Sequence, residues 1–196
     1  MIKTALFFIF FCLVTLIHTT SLFLNQAICK LFNKEFSANK AHQRATAWGR
    51  SLFHLTPGWS IKVSGSEHLE KLKQEPAVIV SNHESATDIL AFYQLNLQFR
   101  WIAKQKIFTF PLIGSAMRAA QYVGVKRGDK NSHQQALEES RAILKSGISM
   151  LFFPEGTRST TGEPKKFKIG AFKLAIEENL PILPVVLTGS AKLMRK

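Results

Sequence analysis

Asn82-His83-Glu84-Ser85-Ala86-Thr87-Asp88 sets an imidazole and a carboxylate five positions apart, a pairing that can move protons. A carboxylate that accepts from one imidazole nitrogen fixes the tautomer and leaves the other nitrogen free as a base. An offset of five is not one straight face of an ideal helix. At a helix entry, before the first turn is wound, the loop can fold His83 back toward Asp88. Such a pair is two thirds of a hydrolase triad without its serine, and the missing hydroxyl could belong to a substrate. By spacing alone, a histidine near an aspartate is more often a helix cap or a surface pair.

A second stretch strengthens the chemical reading: Phe152-Phe153-Pro154-Glu155-Gly156-Thr157-Arg158-Ser159. Both stretches follow apolar runs, residues 77–80 and 148–153, that read as buried strands. Two strand ends with polar loops place a site outside the carboxyl edge of an α/β sheet. Gly156 lets the backbone approach a ligand closely. Arg158 offers a planar fork for phosphate oxygens. Glu155 would repel a phosphate, so it either orients Arg158 or accepts from a substrate hydroxyl. Lys126-Arg127 closes a third apolar run, residues 121–125, and reads either as a phosphate clamp or as a solvated basic turn.

Asn82, His83 and Asp88, followed about seventy residues later by Phe153-Pro154-Glu155-Gly156-Thr157-Arg158-Ser159, resemble the glycerolipid acyltransferases. Gly124-Val125-Lys126-Arg127 is similar to that family's second block, and Ile182-Leu183-Pro184-Val185-Val186 to its fourth. The likeness runs roughly from Ile61 to Ser190. It implies that His83 is a general base held by Asp88. It implies that Lys126, Arg127, Glu155, Gly156, Thr157 and Arg158 bind the acceptor and its phosphate. Acyl-CoA or acyl-acyl carrier protein would be the co-substrate, with no metal and no further cofactor. The nearest family reaction converts 1-acylglycerol 3-phosphate, lysophosphatidate, to phosphatidic acid. Another lysophospholipid, glycerol 3-phosphate or a different polar lipid stays open as acceptor. The tetrahedral oxyanion needs donors, expected among backbone N–H groups near the strand end. A hydrolase would need its own nucleophile; no Gly-x-Ser-x-Gly is present, and Ser85 is a weak substitute.

The elements that must position these groups fit one domain plus an anchor in 196 residues, 46% of them hydrophobic. The net charge of +13 suits phosphate-bearing partners: an anionic membrane, nucleic acid or a phosphorylated substrate. The apolar N-terminus argues against nucleic acid. Cys12 and Cys29 form no metal or disulfide framework, as expected of a reducing, cytosol-facing domain. Residues 5–24 carry no Lys, Arg, Asp or Glu, about the ~20 residues a membrane helix needs. A spanning helix, a helix in one leaflet and a signal peptide compete, and no small-x-small cleavage site follows. Lys30, Lys34, Lys40, Arg44 and Arg50 lie after the segment against Lys3 before it. The positive-inside rule then puts the following domain in the cytoplasm, on the inner membrane.

Residues 33–53 read as an amphipathic helix, interfacial or ordinary, with Trp48 and Trp59 either at headgroup depth or facing a core. The boundary falls near Pro57, giving an anchor over 1–56 and the acyltransferase domain over 57–196, short at its C-terminal end for the family. Strands are expected over 60–65, 99–103, 121–125, 148–153 and 182–187. Helices are expected from Asp88 to about Leu95, over 132–145 and over 171–178. Ala136, Leu137, Ala142, Ile143 and Leu144 should face inward from the second of these. Phe110-Pro111-Leu112-Ile113-Gly114 is an apolar turn that lines an acyl groove or simply a core. Lys165 to Lys168 is a basic loop facing phosphate, membrane or solvent. The fold expected is α/β, a central mainly parallel sheet flanked by helices, with an N-terminal membrane-anchoring helix.

Overall fold

The computed structural model describes residues 2–70, 72, 74–159 and 163–193. Five strands form one sheet: β1 (Val78–Ser81), β2 (Phe99–Lys104), β3 (Val123–Val125), β4 (Ser149–Phe152) and β5 (Ile182–Val185). Their order is β3-β2-β4-β1-β5, and every neighbouring pair is parallel. β1 and β4 are buried along their whole length. Both faces of a central parallel strand are covered, so these strands read as unbroken apolar runs rather than alternations.

Among the described residues seven α-helices surround the sheet: α1 (Ile2–Leu31), α2 (Ala38–Leu55), α3 (Asp88–Phe92), α4 (Ile113–Ala119), α5 (Lys130–Lys145), α6 (Gly170–Glu177) and α7 (Ser190–Leu193). α5 and α6 cover one face, packing Ala136, Leu144, Ala171 and Leu174 on Val78, Val80, Met150 and Phe152. α3 covers the other, with Ile89 and Phe92 on Ile79, Phe99 and Leu151. α2 lies beyond it, and α1 packs on α2 and α4. Asp129 starts α5 by accepting from Ser132 N at 3.0 Å. Gly147, at φ +84°, ends it in a left-handed turn.

α1 is longer than the expected 5–24 and is apolar enough to cross a membrane. It is not a core helix. Val14, Thr15, Thr19 and Leu22 are buried, while Leu6, Phe8, Ile9, Leu13, Leu16 and Ile17 are more than half exposed. The seam with α2 is partly polar: Trp48 Nε1 donates to Thr15 Oγ1 at 3.1 Å, and His18 Nε2 lies 3.0 Å from Ser51 Oγ. Trp48 therefore packs inside the helix pair, edge-on to Phe11, and Trp59 packs on Phe53. Both tryptophans are half-buried against neighbouring rings.

Two expectations are corrected, the strand over 60–65 and the inward placing of Ala142. Residues 60–65 form no strand. They run exposed along a groove of about 520 Å³ whose far wall is residues 183–190, and pair with no strand. Ala142 is exposed, and the inward position on α5 falls to Ser140, whose hydroxyl donates to Ala136 O at 2.7 Å. The apolar turn is not loop throughout: α4 begins inside it, at Ile113. Leu112, at φ +62°, bends the chain into that helix.

Candidate active site

β1 and β4 are neighbours, with Val80 opposite Phe152, so the loops leaving their carboxyl ends start side by side. The first loop folds His83 back onto the first residue of α3. His83 Nδ1 lies 2.8 Å from Asp88 Oδ2. The same oxygen accepts from Glu84 N at 2.8 Å and Ser85 N at 3.0 Å. Asp88 is fully buried. Burial pushes its carboxyl up, but donation from His83 and from the N–H groups of Ser85 and Glu84, with the Ser190 hydroxyl nearby, outweighs it and holds the group below its ordinary value of 3.8. A carboxylate at this distance makes Nδ1 the protonated nitrogen and leaves Nε2 with a lone pair. The ring stacks on Phe153, with centroids 4.2 Å apart at 22°. Ser85, weighed as a nucleophile, is fully buried, and its hydroxyl oxygen accepts from Thr87 N and Oγ1.

The second loop grips the first through backbone atoms. Glu155 is buried, and its Oε1 accepts from His83 N at 2.8 Å while its Oε2 accepts from Lys165 N at 3.0 Å. Ser159 N donates to His83 O at 2.7 Å. Both backbone groups of the histidine are thus held by the loop after β4. Glu155, read from sequence as an Arg158 orienter or hydroxyl acceptor, is a buckle between three chain segments. No local pattern shows this, because its partners lie 72 and 10 residues away. Gly156 sits at φ +70°, and a Cβ there would lie 3.0 Å from Lys168 Nζ. Lys165 Nζ donates to Thr157 Oγ1 at 3.0 Å and to Arg158 O at 2.9 Å, so this basic residue ties the loop together. The expected oxyanion donors are taken: the N–H groups of His83, Glu84 and Ser85 bind Glu155 and Asp88.

His83 opens onto a cavity of about 700 Å³. Arg127, Thr157 and Arg158 line it together with His83. The rest of its wall is mostly apolar, with Ile89, Leu90, Ile107, Phe110, Ile113, Ala116 and Met117 and with Phe11 and Leu22 of α1, but Thr15, His18, Thr19, Arg44 and Lys104 line it as well. Lys126 is exposed and does not line it; its backbone N donates to Ser132 Oγ at 2.9 Å. Four of the expected residues therefore meet at one opening, while Asp88 and Glu155 stand behind it. A lone pair on Nε2, two guanidinium groups and an apolar cavity can deprotonate an alcohol, hold an anion and bury a hydrocarbon chain.

The fold and this arrangement define a parallel α/β domain with a His–Asp pair at the carboxyl edge of its sheet. The chain belongs to the acyltransferase family, whose model matches residues 60–188. It is 37% identical over 189 residues to a chloroplastic 1-acyl-sn-glycerol-3-phosphate acyltransferase of Arabidopsis thaliana, covering 95% of this chain and 52% of that protein. It is 34% identical over 138 residues to the alpha 1-acyl-sn-glycerol-3-phosphate acyltransferase of Homo sapiens, covering 67% of this chain and 47% of that one. The chain thus spans about half the length of the curated relatives it matches. The crystal structure of the 1-acyl-sn-glycerophosphate acyltransferase PlsC from Thermotoga maritima is similar with a TM-score of 0.76 at 25% identity, covering 100% of this chain and 78% of that one.

Proposed function

We propose that this chain transfers a fatty acyl group from a thioester, acyl-CoA or acyl-acyl carrier protein, to the free hydroxyl of 1-acylglycerol 3-phosphate, giving phosphatidate. The observation that carries this reading is the 2.8 Å contact of His83 with Asp88 on a cavity that also holds Arg127 and Arg158. His83 Nε2 removes the hydroxyl proton, and the oxygen attacks the thioester carbonyl. The C–S bond breaks as the tetrahedral intermediate collapses, and His83 returns the proton to the thiolate. General-base help of this kind is worth about 10²–10⁴ in rate. No covalent acyl-enzyme and no metal enters these steps. Asp88 keeps the imidazole in one tautomer and steadies the imidazolium that forms.

Arg127 and Arg158 hold the acceptor's phosphate, and Glu155, Gly156 and Thr157 shape the loop that presents Arg158. Lys126 adds charge outside the cavity. The apolar walls take an acyl chain, each buried methylene contributing about 0.8 kcal/mol. In this reading residues 1–56 both anchor the protein and roof the cavity, while residues 57–196 carry the chemistry. The catalytic domain faces the cytoplasm beside the membrane that holds acceptor and product. The names of the relatives support the choice of acceptor. Membranes containing the protein, given labelled lyso-acceptors and both thioester donors, test it. Labelled phosphatidate from lysophosphatidate is expected. Product from another lysophospholipid alone would move the acceptor assignment, and free fatty acid without acceptor would overturn acyl transfer.

A further inference from the structure

The two carboxylate oxygens of Asp88 are treated unequally. Oδ2 carries three donors, whereas Oδ1 is buried with no hydrogen-bond partner at ordinary geometry. A buried carboxylate oxygen is seldom left that way. Ser190, the first residue of α7, brings a hydroxyl to this corner. It is buried, and its Oγ lies 3.4 Å from Glu84 Oε2, a long contact. Its backbone is seated against the same loop, where Ser190 O accepts from Thr87 Oγ1 at 3.4 Å. Three residues earlier the chain is clasped firmly. Asn82 Nδ2 donates to Leu187 O at 2.8 Å, and Asn82 Oδ1 accepts from Leu187 N at 2.8 Å. Gly189, at φ +82°, then turns the chain so that Ser190 points back under the loop. A serine hydroxyl between two carboxylates needs only rotation about its own side-chain bonds to change partner.

We propose that Ser190 is a positioning residue for the His83–Asp88 pair: its hydroxyl donates to Asp88 Oδ1 and keeps the carboxylate aligned on His83 Nδ1. Neither the acidic loop nor the Arg158 loop supplies that donor, and residue 190 lies just past the family match at 60–188. The effect on Asp88 agrees in sign, since Ser190 acts with His83 against burial to hold this carboxyl down. Without the hydroxyl, the buried charge leans more heavily on its remaining donors, the His83 N–H and the backbone N–H groups of Glu84 and Ser85. The imidazolium then becomes easier to form, and less of the ring is in its free-base form at neutral pH. The charged groups around His83 are Asp88 and Glu84 of its own loop, Glu155 and Arg158 of the loop after β4, and Arg127 after β3.

This inference rests on His83 acting as the base, so its test reads the imidazole directly as well as turnover. In the full chain, Ser190→Ala and Ser190→Val are compared with Ser190→Thr, and the His83 ring is titrated by NMR. The Ala and Val variants should raise the His83 midpoint by at least about half a pH unit, and Thr should restore it. The acid limb of kcat/KM should move with it, and kcat at pH 7 should fall by up to about threefold for a half-unit shift, with KM unchanged. Val and Thr have nearly the same volume, so a misfolded Ala variant leaves the comparison intact. Unchanged titration in both Ala and Val, or Thr behaving like Val, overturns the proposal. If the titration shifts while no protein transfers acyl groups, Ser190 keeps its role and the assigned reaction falls.

Discussion

Two histidines in this chain show how surroundings decide what an imidazole can do. His83 meets a carboxylate on one side and a cavity on the other. His42, on α2, is fully buried; its Nε2–H donates to Leu97 O at 3.0 Å, so Nδ1 accepts from Tyr122 OH at 2.9 Å. Burial pushes His42 down to about 4, against the Leu97 bond and with help from Arg100. It is neutral and structural. Because its folded value is depressed, its stabilisation is complete above 6.5 and is lost as pH falls toward about 4. Between pH 7 and 5 that loss should be roughly 2 kcal/mol. Denaturant melts at the two pH values should show it in the native chain and much less of it in His42→Gln; equal losses in both would refute the assignment. For the His83–Asp88 pair, on the proposed mechanism, Asp88→Asn should reverse the imidazole tautomer and lower kcat by about 10³–10⁴ with KM little changed. Initial rates check this, and a loss confined to KM would mean that Asp88 serves binding. The His83–Asp88 pair was legible because both residues lie in one short loop. The work of Glu155 was not, because it depends on β1 and β4 being neighbours.

At the scale of elements, the buried strands were readable as unbroken apolar runs, and α5 as a capped amphipathic helix. Residues 60–65 alternate in sequence as a strand does, yet the segment is exposed and unpaired with the sheet. α4 was missed because Phe110-Pro111-Leu112 reads as a turn and hides the helix that begins at Ile113. The buckle formed by Glu155 gives a direct prediction. Glu155→Ala frees the N–H groups of His83 and Lys165, loosens both loops together and should cut turnover at least about tenfold. Far-ultraviolet circular dichroism should stay native, since β1 and β4 keep their own cores. Full activity in this variant would show that the clasp is dispensable. α1 and α4 enclose the cavity from two sides, so bulk added there should act on the chain rather than on the chemistry. Ala116→Phe should move preference toward shorter acyl donors while leaving the rate with the shortest donor nearly unchanged. A donor-length series checks it, and an unaltered profile would place the acyl chain elsewhere.

Over the whole molecule, an apolar helix, a basic surface and a sheet edge converge on one opening. Sequence supplied the α/β class, the long apolar N-terminal helix and the basic excess, but not the strand order β3-β2-β4-β1-β5. Nor did it show that this helix lines a cavity. Both are products of long-range packing, which no local pattern encodes. The convergence makes sense for an enzyme that takes a charged lipid from a membrane and hides a second hydrocarbon chain beside it. The account stands or falls on purified protein in anionic vesicles with labelled lysophosphatidate and an acyl thioester, native chain against His83→Ala. It predicts phosphatidate formation in the first and its disappearance in the second, with the same circular dichroism spectrum for both. Phosphatidate made by His83→Ala at the native rate would contradict it.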